Sequence, residues 1–269
     1  AKAVSTWLDR REAALKPWFL WIHCIDPHGP YNPLPAYEGR FRTERAQLLD
    51  RAVIPDYQWK GTLDFFRYVD AYDEEILQFD SELAPILERL SRPPGSRGRI
   101  VIFTADHGEQ FGEHGSYFVH GNTLHREEIH VPLIWIDLGK SQPHRESTPV
   151  SLVDIVPTLL ERLGVTTDLP LDGMTLTQRV ARRAPVFSGY RPGEWAVLHD
   201  GMSVLRDWRQ APLEQLAYNL ADDPREAHPQ PAPATITALL DAFVRLDPIA
   251  AGSVPGFEQQ QWKDQSPED

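Results

Sequence analysis

Cysteine is nearly absent: Cys24 is the one thiol among 269 residues. No internal disulfide can form, which excludes a small secreted module stapled by disulfides. Basic residues are also in deficit, with 27 Lys and Arg against 39 Asp and Glu and a net charge of −12. A nucleic-acid binder carries the opposite balance, so no nucleic-acid partner is expected. Long apolar runs are missing too. The longest, Pro17 to Ile25, is interrupted by His23 and falls far short of the ~20 residues that span a bilayer, so no membrane segment is expected. A secretory signal is not recognisable in the charged, amphipathic N-terminus. The chain opens on Ala1 in mid-pattern, as expected of a piece of a longer protein whose signal, if any, lies upstream.

What remains is an ordinary globular composition, 41% hydrophobic and 25% charged. Ala3 to Leu15 has helical spacing, and Pro17 stops it. Trp18 to Ile25 is a continuous aromatic and aliphatic run, as in a strand buried on both faces. Asp26 to Pro35 holds four prolines and is irregular; Arg40 to Lys60 is a polar excursion over the end of that strand. Thr62 to Leu90 repeats apolar residues at helical period, with Pro85 as a kink or a second start. A turn follows around Pro93, Pro94 and Gly95. Ile100–Phe103 and Val131–Ile136 are further buried strands, and Leu152–Leu163 is a helix that Gly164 ends.

This alternation predicts an α/β fold with a mainly parallel sheet flanked by helices over residues 1–184. The texture then changes. Val186–Tyr190, Trp195–Leu198, Met202–Trp208 and Gln215–Leu220, with the turn Asp200-Gly201, predict a small antiparallel sheet. Ile236–Leu246 supplies a helix packed on it. This subdomain is placed at 185–250, and 251–269 is expected to be a polar, disordered tail.

In open α/β sheets, ligands bind beyond the carboxyl ends of strands. Two such ends carry unusual side chains: Asp26-Pro27-His28-Gly29-Pro30-Tyr31, and Asp106-His107-Gly108-Glu109 continuing through His114 to His120-Gly121. An adjacent carboxylate and imidazole can turn to one cation, and histidines beside it can move protons near neutral pH. Each piece also has a plain explanation. Asp-His-Gly is a tight turn closed by Asp, His28 is a satisfied loop residue, and His114 and His120 are exposed. The irregular histidine spacing fits no closed zinc motif.

Taken in order, these segments resemble the sulfatase family of the alkaline-phosphatase-like superfamily. The resemblance runs collinearly through Trp18–His23 with Asp26-Pro27-His28 and the helix at Tyr72–Leu83. It continues through Thr104–Glu109 with Gly112-Glu113-His114-Gly115, and through His120-Gly121, Leu124, Glu127 and Val131–Ile134. Ser151–Leu160, Leu171-Asp172-Gly173 and Tyr218-Asn219-Leu220 with Asp223-Pro224 and Glu226 complete it. The resemblance implies hydrolysis of a sulfated small molecule or glycan. It implies one divalent cation, Ca2+ or Mg2+, and a formylglycine nucleophile made in a Cys-x-Pro-x-Arg motif. Carried over by position, Asp106 and His107 are metal ligands and His28 is the general acid. His120 stands where many members place a lysine on the sulfate, and His114 is assigned beside it to substrate binding.

The chain departs from the family at the nucleophile. Cys24 stands in Cys24-Ile25-Asp26-Pro27-His28, with proline one place late and no arginine, and is expected to be a buried strand residue. Ser141-Gln142-Pro143-His144-Arg145 fits a serine version by letter only, on the wrong side of the metal motif. The nucleophile, its arginine and two further metal-binding aspartates are therefore expected in a missing N-terminal part of the same protein, and this chain alone is expected to be inactive. A two-zinc phosphatase is disfavoured, because no histidine has Asp four residues before it. The alternatives kept are a one-metal phosphonate or phosphate-ester hydrolase, and an inactive piece that binds a metal or a partner.

Overall fold

The structure is a computed structural model that describes residues 2–13, 16–91, 98–138, 143–190, 194–207 and 214–246. The turn expected around Pro93, Pro94 and Gly95, the pair Ser141-Gln142, Trp208 and the tail at 251–269 lie outside the described residues. The chain divides into two units, Ala1–Gly121 with His130–His144, and Asn122–Ile129 with Arg145–Asp269.

In the first unit, α1 (Lys2–Ala13) and α2 (Phe65–Ser91) pack through Leu8, Ile86 and Leu90. Helix α2 runs as one helix with Pro85 inside it rather than as two segments. Trp18 and Leu20 join this core, and Trp18 meets Trp7 edge to face at 5.5 Å. The next residues turn outward: Phe19 and Trp21 are 72% and 74% exposed. The segment Trp18–Ile25 is thus not buried on both faces: Trp18 and Leu20 are half-buried, residues 21–25 are all exposed, and it pairs with no strand among the described residues. Cys24 is correspondingly exposed, not buried.

Strands β1 (Arg99–Thr104) and β4 (Leu133–Leu138) form where expected but pair antiparallel, from Arg99 opposite Leu138 to Thr104 opposite Leu133. Among the described residues every ladder is antiparallel, so the mainly parallel sheet is not seen there. An apolar run reports burial, not the direction of the neighbouring strand. Between them lies a bulged hairpin, β2 (Gln110–Phe111) and β3 (Tyr117–Val119). Gly112 turns it at φ +98°, and a Cβ there would fall 2.4 Å from Tyr117 Cε1.

The hairpin caps an aromatic core of Tyr31, Tyr68 and Phe118, all fully buried, with Phe65, Tyr72 and Phe111 around them. Burying each such ring contributes about 1.5–3 kcal/mol. Phe118 holds a left-handed backbone, φ 58°, which costs about 1–3 kcal/mol in a non-glycine residue. Stacking on Tyr68 at 4.4 Å and a 3.0 Å hydrogen bond from the Tyr57 hydroxyl to the Phe118 carbonyl hold it there.

The second unit contains α3 (Arg126–Ile129), α4 (Ile155–Leu163), α5 (Leu176–Arg182), β5 (Val186–Gly189), β6 (Glu194–His199), β7 (Met202–Asp207), β8 (Glu214–Asn219) and α6 (Ala234–Leu246). Strands β5 to β8 form the expected antiparallel meander in sequence order. Asp200 and Gly201 both take positive φ at its tightest turn, the conformation that matches strand twist in a two-residue hairpin. Ile236 and Leu240 of α6 pack on Val197, Val204 and Ala217. Pro157 falls in the first turn of α4, where its missing N–H has no helical partner to lose. Gly164 ends that helix in left-handed conformation. Helix α5 was not anticipated, although Thr175 followed by Gln178 is a legible N-cap, and the Thr175 side chain accepts from Gln178 N–H. Among the described residues, no helix is long and apolar enough to cross a membrane.

Candidate active site

The loop after Trp18–Ile25 delivers His28. Pro27 and Pro30 remove two backbone donors, so the loop is held by side chains instead of a ladder. One face of α2 supplies them. Glu75 Oε1 accepts Asn32 N–H at 2.6 Å, Gln78 Oε1 accepts Leu34 N–H at 2.8 Å, and Gln78 Nε2 donates to Asp26 Oδ2 at 3.2 Å. From the other side come Gln58, whose Oε1 accepts Tyr31 N–H at 3.3 Å, and Lys60. The Lys60 ammonium donates to Asn32 Oδ1 at 2.8 Å and to the Tyr31 carbonyl. The Arg40–Lys60 excursion is therefore a clasp on the histidine loop. Gly29 lies close beneath it: a Cβ there would fall 1.9 Å from Gln58 Nε2, so the Gln58 side chain would have to shift.

Burial raises the Glu75 carboxyl to about 7; nearby Asp26 pushes the same way, while Asn32 N–H and Lys60 oppose it. Burial also lowers the Lys60 ammonium, with Glu75 opposing.

Strand β1 delivers the second group. The Thr104 hydroxyl ties its end to the Pro132 carbonyl at 2.8 Å. Asp106 follows, with its side chain 80% exposed. Its Oδ1 accepts His107 N–H at 3.0 Å, so the turn-closing role is present. The same oxygen lies 3.8 Å from His107 Nε2. His107 Nδ1 faces the Gly108 carbonyl at 2.8 Å. A carbonyl only accepts, so Nδ1 carries the proton and Nε2 the lone pair. Asp106 and His107 thus present one carboxylate oxygen and one imidazole nitrogen on the same side. One divalent cation can span that separation with ordinary bonds of about 2.0–2.6 Å. The donor pair fits a cation, but Ca2+ takes about six to eight ligands, so two donors are a partial shell.

Three of the predicted histidines come together. His107 and His120 stack at 3.9 Å between centroids, and His28 meets His120 edge to face at 5.0 Å. His28 Nδ1 faces the Gly29 carbonyl at 2.7 Å, which leaves Nε2 as its working nitrogen. His114 sits half-buried on the turn between β2 and β3. Glu109 was quoted in the motif but given no role. Its side chain is 6% exposed, its Oε1 lies 3.0 Å from His120 Nδ1, and its Oε2 accepts the Tyr31 hydroxyl at 2.9 Å.

The loops that carry His28 and His107 thus meet at His120. Residues 1–165 match the Sulfatase family model. The chain belongs to the sulfatase family. It is 28% identical over 270 aligned positions to the choline-sulfatase of Rhizobium meliloti (strain 1021), covering 87% of this chain and 51% of that protein. It is 29% identical over 159 positions to the endo-4-O-sulfatase of Bacteroides thetaiotaomicron, covering 58% of this chain and 30% of that protein. Among solved structures it resembles the phosphonate monoester hydrolase of Agrobacterium radiobacter, with TM-score 0.65, 22% identity, and coverage of 93% of this chain and 60% of that one. That likeness shows the alkaline-phosphatase-like fold of this sulfatase-family chain. The chain spans about half the length of the choline-sulfatase it matches.

Proposed function

We propose that the protein hydrolyses sulfate esters with the help of one divalent cation, Ca2+ or Mg2+, and that this chain carries part of the site. The observation that carries the reading is the convergence of His28, His107 and His120 beside Asp106. Asp106 and His107 hold the cation, which when bound supplies Lewis acidity toward the ester oxygens. His28, pinned at Nδ1, gives a proton from Nε2 to the leaving-group oxygen from its doubly protonated imidazolium form and is left as the neutral Nδ1–H imidazole. His120 contacts a sulfate oxygen, and His114 contributes to substrate binding from the hairpin turn.

The formylglycine nucleophile and the remaining cation ligands are assigned to an upstream part of the same protein. The partial cation shell and the exposed Phe19 and Trp21 edge support this. Strands from that part would complete the mainly parallel sheet on Trp18–Ile25, and without them the chain is inactive. The substrate is a sulfated small molecule or glycan, as the names of the choline-sulfatase and the endo-4-O-sulfatase suggest.

The likeness to a phosphonate monoester hydrolase favours a second reading, in which a phosphonate or phosphate ester is the substrate. Paired assays on an aryl sulfate and an aryl phosphonate monoester, with the upstream sequence present, separate the two. A higher kcat/KM for the sulfate supports the proposal; a higher value for the phosphonate replaces it. No turnover of either favours a binding role.

A further inference from the structure

We infer that Glu109, locked in place by Tyr31, is the positioning residue that sets the orientation of His120. The inference rests on the proposed reading only for the consequence in catalysis, since the geometry stands without it.

Tyr31 is a fixed point. It is fully buried and packed between Tyr72 at 5.2 Å and Phe111 at 6.1 Å, and its backbone is held at both ends by Gln58 and Lys60. Burial and the neighbouring Glu109 carboxylate push its phenol far above the usual range, so the hydroxyl remains a donor. It donates to Glu109 Oε2 at 2.9 Å. That bond leaves Oε1 aimed at His120 Nδ1, 3.0 Å away. Glu109 accepts the Tyr31 hydroxyl at Oε2 and meets Nδ1 as an acceptor at Oε1, so Nδ1–H is the donor and the Nε2 edge is the one turned to chemistry. The stack on His107 fixes the ring plane, and the bond to Glu109 fixes which edge faces which way.

The test reads His120 directly in the full chain. Histidine side-chain nitrogen resonances are recorded by NMR at the alkaline end of their titration, with His120→Gln used for assignment. The wild type is expected to show a single Nδ1–H form. Glu109→Gln, close to isosteric, is expected to give a mixture or the Nε2–H form. Tyr31→Phe, which removes only the anchoring hydroxyl, is expected to give a smaller shift in the same direction. An unchanged Nδ1–H form in Glu109→Gln, or an Nε2–H form in the wild type, overturns the inference. The second arm is turnover of an aryl sulfate with the upstream sequence present. Glu109→Gln is expected to lower kcat by about 10–100-fold with little change in KM. A changed tautomer with unchanged kcat upholds the positioning role and instead sinks the proposed contact of His120 with the ester.

Discussion

The imidazole of His107 lies face to face with that of His120, 3.9 Å between centroids and 24° between planes. The residue proposed to hold the cation and the residue proposed to touch the sulfate therefore share one packing site. Asp106 is different, because its side chain projects into solvent. Both Asp106→Ala and His107→Ala are expected to weaken calorimetric Ca2+ binding by at least tenfold, about 1.4 kcal/mol. Only His107→Ala should also move the His120 ring resonances. Equal Ca2+ affinity in all three proteins would remove the cation from this pair.

His28 is held to its own loop at Gly29 and touches His120 edge on. His28→Ala in the complete protein should lower turnover by about 10²–10⁴-fold, and more for poor leaving groups than for good ones. Metal content should stay intact. Parallel loss of metal and activity would refute the general-acid role.

The side chains of this candidate site were legible because they lie in short motifs, Asp26–His28 and Asp106–His120. The partners that orient them were not. Tyr31 reaches Glu109 across 78 positions, and Asn32 reaches Glu75 across 43. No periodicity marks such pairs. Glu75 in particular sits within an amphipathic helix where a carboxylate reads as solvated surface, yet it is 3% exposed. In the fold, the meander β5–β8 was readable because alternation and the Asp200-Gly201 turn specify both strand and direction. The segment Trp18–Ile25 misled because its apolar run lacks the polar alternation of a half-covered strand, although Phe19 and Trp21 face outward. The β2–β3 hairpin was hidden by its brevity and bulge.

Glu75 also makes stability depend on pH. Its carboxyl is raised from 4.5 to about 7 in the folded chain, chiefly by burial. A carboxyl that ionises less readily when folded costs stability as pH rises from about 4.5 to about 7, and nothing below that window. Glu75→Gln removes this cost while keeping an oxygen for Asn32 N–H. Urea titrations should show the variant gaining on the wild type across that window, by on the order of 1–3 kcal/mol above it. A difference that stays flat with pH would contradict the assignment.

Asp154 and Arg179 form the buried ionic joint of the second unit. Two parallel 2.7 Å bonds join the carboxylate to Arg179 Nε and Nη2, and Ser151 and Met174 N–H donate to it at 3.0 Å. Burial alone would raise the Asp154 carboxyl, but the bonds from Arg179 and these backbone donors hold it below its usual range. Arg179→Ala leaves that charge buried without its partner and should cost about 3–5 kcal/mol in urea unfolding. The wild-type contribution should be fully present above about pH 4 and fade as pH falls through the depressed value. A loss under about 1 kcal/mol, as for an exposed pair, would contradict this.

The central claim is that the histidine group beyond β1 binds a cation and a sulfate together. A crystal structure of the protein soaked with CaCl2 and sodium sulfate tests it most directly. The expected result is Ca2+ on Asp106 and His107, with sulfate oxygens within hydrogen-bond reach of His28 and His120. Both ions bound elsewhere, with this group unchanged at the same concentrations, would contradict it.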